Sequence, residues 1–209
     1  MFRKWVNSRT SSNYVRKLQS IPPCRVFASH FSGHGVVVAG RKKIKLPDES
    51  PYVVWDGKIL KRYEPTEWHE CIVCTDYRLI SLQRHRLYVA EKGFEPIILF
   101  PCKIGEPTLE VNVPNDNGIL QWNGLATYCR LKVFNKIITT REFISQANLV
   151  AEGMGFDQVG EVLCREELLD DILFEPEYNI KPVYIWWLDM CRVFGEYKDF
   201  KVTKDIFSP

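Results

Sequence analysis

Apolar residues in the first two-thirds of the chain occur in short runs, separated by glycines, prolines and polar turns. Short runs that are rich in β-branched and aromatic residues and bounded by turn signals are typical of β-strands. The clearest pair is YVVW at 52–55 and KILKRY at 58–63, joined by Asp56-Gly57, a dipeptide that favours a hairpin turn. Strands and turns are also predicted in CRVFASHFSGHGVVVAGRKKIKLP, and the other strand-like segments are ECIVC, RLYVA, EPIILFPC, TLEVNVP and LATYCRLKVF.

The pattern changes near residue 139, where apolar positions begin to recur at helical spacing. Thr139 and Glu142 have the spacing of a capping box, which marks the start of a helix. Asp157 can cap a second helix in the same way. The apolar faces of the two predicted helices are Phe143, Ile144, Ala147, Val150 and Ala151, then Val159, Val162, Leu163, Leu169 and Leu173. The later segment VYIWWLDMCRVF is apolar nearly all round, so we expect it to be buried or to meet a partner.

These patterns predict an α+β fold, with a mixed or antiparallel sheet in the first two-thirds and two to three helices in the carboxyl third. Residues 1–20 form a predicted basic arm, which the prolines of the segment IPP end because proline cannot continue a helix. Residues 21–138 form a predicted β-rich core with a candidate zinc site. Residues 139–209 form a predicted helical acidic region, packed on the core or appended to it.

The composition narrows the class of protein. The 209 residues are 45% hydrophobic and 13% aromatic, which is enough to bury a core and excludes a wholly disordered chain. No apolar run has the length of a membrane span, and the first residues lack the apolar segment of a signal peptide. In a protein that is neither secreted nor membrane-bound, the seven cysteines are better interpreted as thiols or metal ligands than as a disulfide framework.

The formal net charge of +2 conceals a strong asymmetry. Residues 1–47 contain ten Lys and Arg residues and no Asp or Glu, whereas residues 142–209 contain six bases and fourteen acids. Uncompensated positive charge suits a polyanion such as nucleic acid, because binding releases counterions. Two alternatives are a solvated tail that pairs with the acidic third of the chain, and a mitochondrial targeting segment, because the first twenty residues are rich in Arg and Ser.

The candidate nucleic-acid contacts lie in two basic clusters, one near the amino end and one in the segment GRKKIKLP. They are Arg3, Lys4, Arg16, Lys17, Arg41, Lys42, Lys43 and Lys45. The second cluster is typical of a phosphate-contacting or nuclear-import patch. An exposed strand edge protected by lysines would have the same composition. Aromatic residues lie among these bases, where they could stack on unpaired nucleotides or simply belong to the core.

The segment HECIVC carries the candidate metal chemistry. Cys71 and Cys74 have the C-x-x-C spacing that brings two thiolates to one metal ion. His85 and Cys102 would complete a tetrahedral zinc site, with His69 as a substitute ligand. The same segment could instead be a buried strand whose cysteines act as small apolar residues. A redox pair is disfavoured because no βαβ pattern surrounds the motif.

Several common enzyme motifs are absent from the sequence. The zinc-deaminase pattern requires H-x-E and a separate P-C-x-x-C, but Glu70 directly follows His69 and no second C-x-x-C exists. Neither H-E-x-x-H, G-x-S-x-G nor the phosphate-binding G-x-x-x-x-G-K-[ST] occurs. We therefore expect a protein without enzymatic activity.

The segment REELLDDILFEPEYN mixes acidic and apolar residues. Such mixtures are typical of activation segments that dock on a protein partner, and the candidate contacts are Leu168, Ile172 and Phe174. A surface helix with an acidic outer face is the alternative. A recognition helix for DNA is excluded, because the groove would repel this acidity.

The segment PYVVWDGKILKRYEPTEWHECIVC resembles a stretch of foamy-virus (spumavirus) transcriptional transactivators. In both, an aromatic and apolar strand that ends in Trp and an acid precedes C-x-x-C by a similar interval. The matching positions are Tyr52, Val54, Trp55, Asp56, Cys71 and Cys74. The resemblance implies a nuclear DNA-binding protein with a basic region and a carboxyl-terminal acidic activation segment.

Together these features favour a non-enzymatic, nucleic-acid-binding regulatory protein, a transcriptional activator of viral type located in the nucleus. Its partners would be DNA and a protein that docks on the acidic third, with structural zinc as the cofactor and no membrane association. The alternatives are a viral or cellular protein-interaction adaptor that touches no nucleic acid and, more distantly, a metal-dependent enzyme. A cytoplasmic or mitochondrial location is the alternative to the nucleus.

Overall fold

The computed structural model describes residues 26–49, 51–74, 78–114, 117–134, 137–174 and 181–195. The strands in these residues are β1 (Val26–Gly33), β2 (Gly35–Ala39), β3 (Tyr52–Trp55), β4 (Leu60–Arg62), β5 (Trp68–Val73), β6 (Leu79–Ser81), β7 (Glu95–Phe100), β8 (Glu110–Pro114), β9 (Leu120–Gly124), β10 (Glu161–Arg165) and β11 (Val183–Met190). The helices are α1 (Leu82–Glu91), α2 (Leu125–Val133), α3 (Thr140–Gly153) and a 3-10 turn at Glu166–Leu168. Within these segments, no helix is long and apolar enough to cross a membrane.

The largest element is a six-stranded mixed sheet in the order β1-β11-β7-β10-β3-β4. Strands β1, β11 and β7 are parallel, and β10, β3 and β4 continue the sheet by antiparallel pairing. The α+β prediction with a mixed sheet is therefore confirmed. The Asp56-Gly57 turn joins β3 to β4, with Gly57 in the left-handed region at φ 91°.

Helices cover both faces of this sheet, because alternate residues of its central strands are apolar on both sides. In β7, Ile97 and Leu99 pack with Phe143 of α3 on one face. Ile98 and Phe100 pack with Leu82 and Val89 of α1 on the other. The sequence-predicted capping box at the start of α3 is present, with Thr139 and Glu142 bonded reciprocally. Helix α2 packs beside α3.

A second sheet, antiparallel and in the order β2-β5-β6, carries the segment HECIVC on its central strand. The chain that follows β11 also contacts this sheet. The Val37 N–H donates to the Val193 carbonyl at 2.8 Å, and the Gly195 N–H donates to the Val37 carbonyl at 3.1 Å. Strand β11 thus pairs within the six-stranded sheet, and residues 193–195 that follow it pair with the second sheet, so this stretch of chain connects the two.

Two predicted strands are helices in the structure. The segments RLYVA and LATYCRLKVF lie in α1 and α2, so the helices are not confined to the carboxyl third. In α1 the hydroxyl of Ser81 accepts a hydrogen bond from the Arg84 N–H at 3.3 Å and caps the helix. Short apolar runs do not separate strand from helix, and here the N-cap supports a helix.

The predicted helical region at 139–209 is also corrected. Only α3 is an α-helix in its described residues, and the segment predicted as a second helix from Asp157 contains β10 and the 3-10 turn. Strands β10 and β11 occupy interior positions of the six-stranded sheet. The carboxyl third therefore completes the core, and residue 139 does not begin an appended region. The apolar segment VYIWWLDM is β11, buried on both faces like many parallel strands.

Candidate nucleic-acid interface

Residues 40–46, here called the basic loop, leave β2 and carry the second predicted cluster of nucleic-acid contacts. Arg41, Lys42, Lys43 and Lys45 are all exposed, whereas Leu46 at the end of the loop is buried. None of the ion pairs formed among the described residues uses any of these four side chains. Their positive charge is therefore presented to solvent.

The start of the basic loop is held by strand β5. The Gly40 N–H donates to the Glu67 carbonyl at 2.6 Å. His69 is buried, and its Nε2 lies 3.0 Å from the Lys42 carbonyl, which can only accept a hydrogen bond, so Nε2 is the donor. The His69 ring lies directly against Gly40, where a Cβ would be 2.7 Å from the ring Cδ2 and Cε1 atoms. Glycine is thus required for the ring to reach Lys42.

The end of the basic loop is held by helix α1. The Leu46 N–H donates to Glu49 Oε1 at 2.6 Å, and the same oxygen accepts from Arg86 at 2.9 Å. Arg86 is buried, and its guanidinium lies 4.3 Å from the ring centroid of Tyr63. Burial raises the pKa of the Tyr63 hydroxyl, and Arg86 partly opposes that rise. Attachment at both ends limits the conformational freedom that the loop would lose on binding.

Two exposed aromatic side chains adjoin the basic loop. Trp68 pairs across β5 and β2 with Ala39, the residue directly before the loop, and is 44% exposed. Phe194 is 53% exposed and forms a bridge with Val37 of β2. Their ring centroids are 5.0 Å apart, in an edge-to-face arrangement with an interplanar angle of 78°. The surface therefore combines exposed cations with two exposed rings.

Beneath these residues, a buried ion-pair triad connects the two sheets. Arg192 donates to Glu70 of β5, with Nε to Oε1 at 2.8 Å, and to Glu161 of β10 at 2.5 Å. It also donates to the Cys102 carbonyl at 2.8 Å. Burial raises the pKa of the Glu161 carboxyl, and the Arg192 guanidinium opposes part of that rise. The triad fixes β5, and with it Trp68, relative to the six-stranded sheet.

The predicted zinc ligands are not brought together. The Cys71 thiol donates to the His69 carbonyl at 3.6 Å, and the Cys102 thiol donates to the Glu106 carbonyl at 3.4 Å. His85 packs on Trp186 with ring centroids 3.8 Å apart. Across the described segments, no group of three or more His, Cys, Asp or Glu side chains could hold a metal ion.

The surroundings of these residues explain their separation. Cys71 lies in β5, and Cys74 directly follows that strand. His85 lies on α1 and packs on the six-stranded sheet, whereas Cys102 follows β7. Burial raises the pKa of the Cys71 and Cys102 thiols to about 12 and lowers the pKa of His85 to about 3. The donor set does not fit a zinc ion in this conformation. Structural zinc stays a sequence prediction, which metal analysis of the purified protein can test.

Of the predicted partner contacts in the acidic segment, one lies in the core and two are half-buried. Leu168 is 1% exposed and packs in the cluster beneath α3. Ile172 is half-buried in an isolated bridge with Thr139. Phe174 is half-buried, with its ring centroid 5.0 Å from that of Phe134. The activation-segment interpretation is corrected for Leu168, because a residue that packs in the core is not available to a partner.

Part of the predicted interface lies outside the described residues. Arg3, Lys4, Arg16 and Lys17 belong to residues 1–25, so their prediction is neither supported nor opposed. Sequence reasoning also missed Trp68 and Phe194. Trp68 begins a strand beside the acidic Glu67, and no local signal marks it as exposed. Phe194 reaches the loop only through its pairing with β2, which spans most of the chain.

The chain was also compared with known proteins. Searches against protein-family models, curated proteins and solved structures find no match to the chain.

Proposed function

We propose that this protein binds nucleic acid through the basic loop, without enzymatic activity of its own. The observation that carries the proposal is the presentation of Arg41, Lys42, Lys43 and Lys45 to solvent on a loop that is anchored at both ends. Phosphates neutralised by such side chains release their condensed counterions, and this release drives binding.

The anchoring of the loop argues against a merely solvated edge. A strand edge protected by lysines carries them along the strand, but these four residues follow β2 in a loop. Buried His69, which packs on Gly40, and buried Arg86 both support that loop. Such support suits a surface that must keep its shape when a polyanion binds.

We extend the proposal to a regulatory role, a transcriptional activator of viral type acting on DNA in the nucleus. It is supported by the charge asymmetry, with ten bases and no acids in residues 1–47 and an excess of acids after residue 142. The resemblance of residues 51–74 to foamy-virus transactivators favours the same role. The output surface must then lie outside Leu168, because that side chain is buried.

The test is a variant in which Arg41, Lys42, Lys43 and Lys45 are all replaced by Ala. Binding of fluorescent duplex and single-stranded oligonucleotides would be measured by anisotropy over a range of salt concentrations. If all four side chains contact phosphates, the slope of log affinity against log salt should fall by up to about 3–4.

A second variant controls for net charge. It replaces four exposed lysines on other elements with Ala: Lys58, Lys92, Lys132 and Lys181. Both variants lose the same charge, so only a specific role of the loop separates them. Equal affinities and slopes in wild type and the loop variant would contradict the proposal, and so would equal losses in both variants.

A protein-interaction adaptor is the second candidate, favoured by the hairpin of β8 and β9. Ile119, Leu120 and Trp122 are each more than half exposed there, with Trp122 at 70%. A cluster of this kind on a two-stranded ribbon suits an apolar cleft on another protein. A partner identified by affinity capture should bind the purified wild type and lose binding to L120S/W122S. Absence of nucleic-acid binding even at low salt would favour this candidate over the first.

A further inference from the structure

We propose that Trp68 and Phe194 make the basic loop a binding surface for single-stranded nucleic acid, with each ring able to stack on an unpaired base. The inference rests on the proposed nucleic-acid binding and names the form of the ligand. Aromatic side chains beside a basic groove are the combination by which proteins hold single strands without regard to sequence.

Trp68 lies beside the start of the loop, and Phe194 contacts Trp68. Trp68 is directly opposite Ala39. Arg41 is two residues after Ala39, so the Cα atoms of Ala39 and Arg41 are at most roughly 7 Å apart. The loop backbone is bonded to the residue before Trp68, through the Gly40 N–H and the Glu67 carbonyl. Cations and rings therefore form one surface.

The rings are held in place although they are exposed. The Trp68 backbone is fixed, because its N–H donates to the Thr66 hydroxyl at 3.2 Å and its carbonyl accepts from Gln83 at 3.4 Å. The Trp68 ring itself packs edge-to-face on the Phe194 ring. Phe194 lies over Gly105, where a Cβ would be 3.2 Å from the ring, and its neighbours pair with Val37. Rings that are already positioned lose little freedom when a base stacks on them.

Charge complementarity selects a polyanion over an apolar protein segment as the occupant. Four exposed cations lie on the loop that follows Ala39, the residue paired with Trp68. Glu67 is also exposed beside Trp68 and disfavours a phosphate there. The sugar-phosphate backbone of the nucleic acid is therefore expected to follow residues 41–45, while its bases face the rings. A duplex cannot use the rings in this way, because its bases are already stacked and must first be unstacked.

The experiment compares wild type with W68A/F194A on oligothymidylate, oligouridylate and a duplex of equal length, by anisotropy. Stacking on one or two bases contributes roughly ten-fold to a hundred-fold in affinity. We expect wild type to prefer the single strands by at least about ten-fold. The variant should lose about that factor on single strands and nothing on the duplex. Its salt slope should not change, because stacking releases no counterions.

Two controls keep the test sharp. W122A removes a tryptophan that is more exposed but lies on the β8–β9 hairpin, and its binding should equal that of wild type. An oligomer of abasic sugar-phosphate units needs no mutation at all. It keeps the phosphates and lacks the bases, so wild type should bind it about ten-fold more weakly than the normal strand. This result does not depend on the stability of W68A/F194A.

The outcomes separate this inference from the proposed function. If wild type binds duplex and single strands equally and prefers the normal to the abasic strand by less than about two-fold, the single-strand inference fails while loop binding stands. If no nucleic acid binds, both fail. If W68A/F194A keeps single-strand affinity but loses a protein partner, the rings serve an adaptor and the inference is overturned.

Discussion

Replacing Arg192 with Met should destabilise the protein strongly, because it breaks the triad that connects the two sheets. Methionine keeps an apolar stem of similar length but removes the guanidinium. Glu70 and Glu161 then face each other with side chains only 7% and 12% exposed and without their shared cation. Removing one partner of a buried ion pair typically costs about 3–5 kcal/mol. For a chain of this size, that corresponds to a fall in Tm of roughly 6–20 °C.

The loss should depend on pH, with a sign set by the buried carboxyl of Glu161. The pKa of Glu161 is raised by burial, and Arg192 opposes that rise. Without Arg192 the pKa rises further above its value in the unfolded chain. The folded variant then binds a proton that the unfolded chain has released, so its stability falls as pH rises through this window. The deficit relative to wild type should be large at neutral pH and smaller in mild acid.

Urea unfolding at about pH 7.5 and about pH 5 would measure both effects. The variant E70Q/R192M is the matched control, because it removes one of the two unpaired charges while keeping the shape of the side chain. It should recover part of the stability that R192M loses at neutral pH. A deficit for R192M below about 1 kcal/mol, or one that does not change with pH, would refute the assignment of the triad as a buried electrostatic link.

Two further substitutions test the support of the candidate site and the turn chemistry. G40A should displace the His69 ring and break its hydrogen bond to Lys42, which lowers nucleic-acid affinity and costs about 1–3 kcal/mol in urea unfolding. G153A is the control, because a Cβ there would meet nothing. Normal binding by G40A would contradict the role of His69. D56N should cost about 1 kcal/mol near neutral pH. Burial alone would raise the pKa of Asp56, but hydrogen bonds from the Ile59 and Lys58 N–H groups and from Lys103 lower it. The wild-type advantage over D56N should therefore vanish as pH falls through that lowered pKa, and an advantage that persists in strong acid would contradict this account.

The features that could be predicted from the sequence depend on residues close together in the chain. The Asp56-Gly57 hairpin and the Thr139 capping box involve only a few neighbours, and both are present. The exposed basic loop follows from its own composition. Turns and helix caps of this kind can be predicted because they depend on neighbouring residues and not on distant packing.

The segments of α1 and α2 were predicted as strands because buried arginines interrupt the helical spacing of their apolar residues. The buried positions of α1 are Leu82, His85, Arg86 and Val89, which have helical spacing although two of the four are polar. In α2, Arg130 is buried in the same way and donates to the Leu188 and Phe100 carbonyls. If arginine is counted as solvent-exposed, the buried face of the helix cannot be recognised from the sequence. The aromatic pair was equally hidden, because it needs a contact between β2 and residue 194.

The pairing of β1 with β11 has a consequence for how the chain folds as it is made. Ser29 and Tyr184, bonded at 3.0 Å on these neighbouring strands, are 155 residues apart in sequence. A sheet closed by contacts of such long range folds slowly. At translation rates of about 5–20 residues per second, β1 waits roughly 8–30 s for its neighbour to be synthesised. We expect the nascent chain to stay open, and dependent on chaperones, until β11 has left the ribosome.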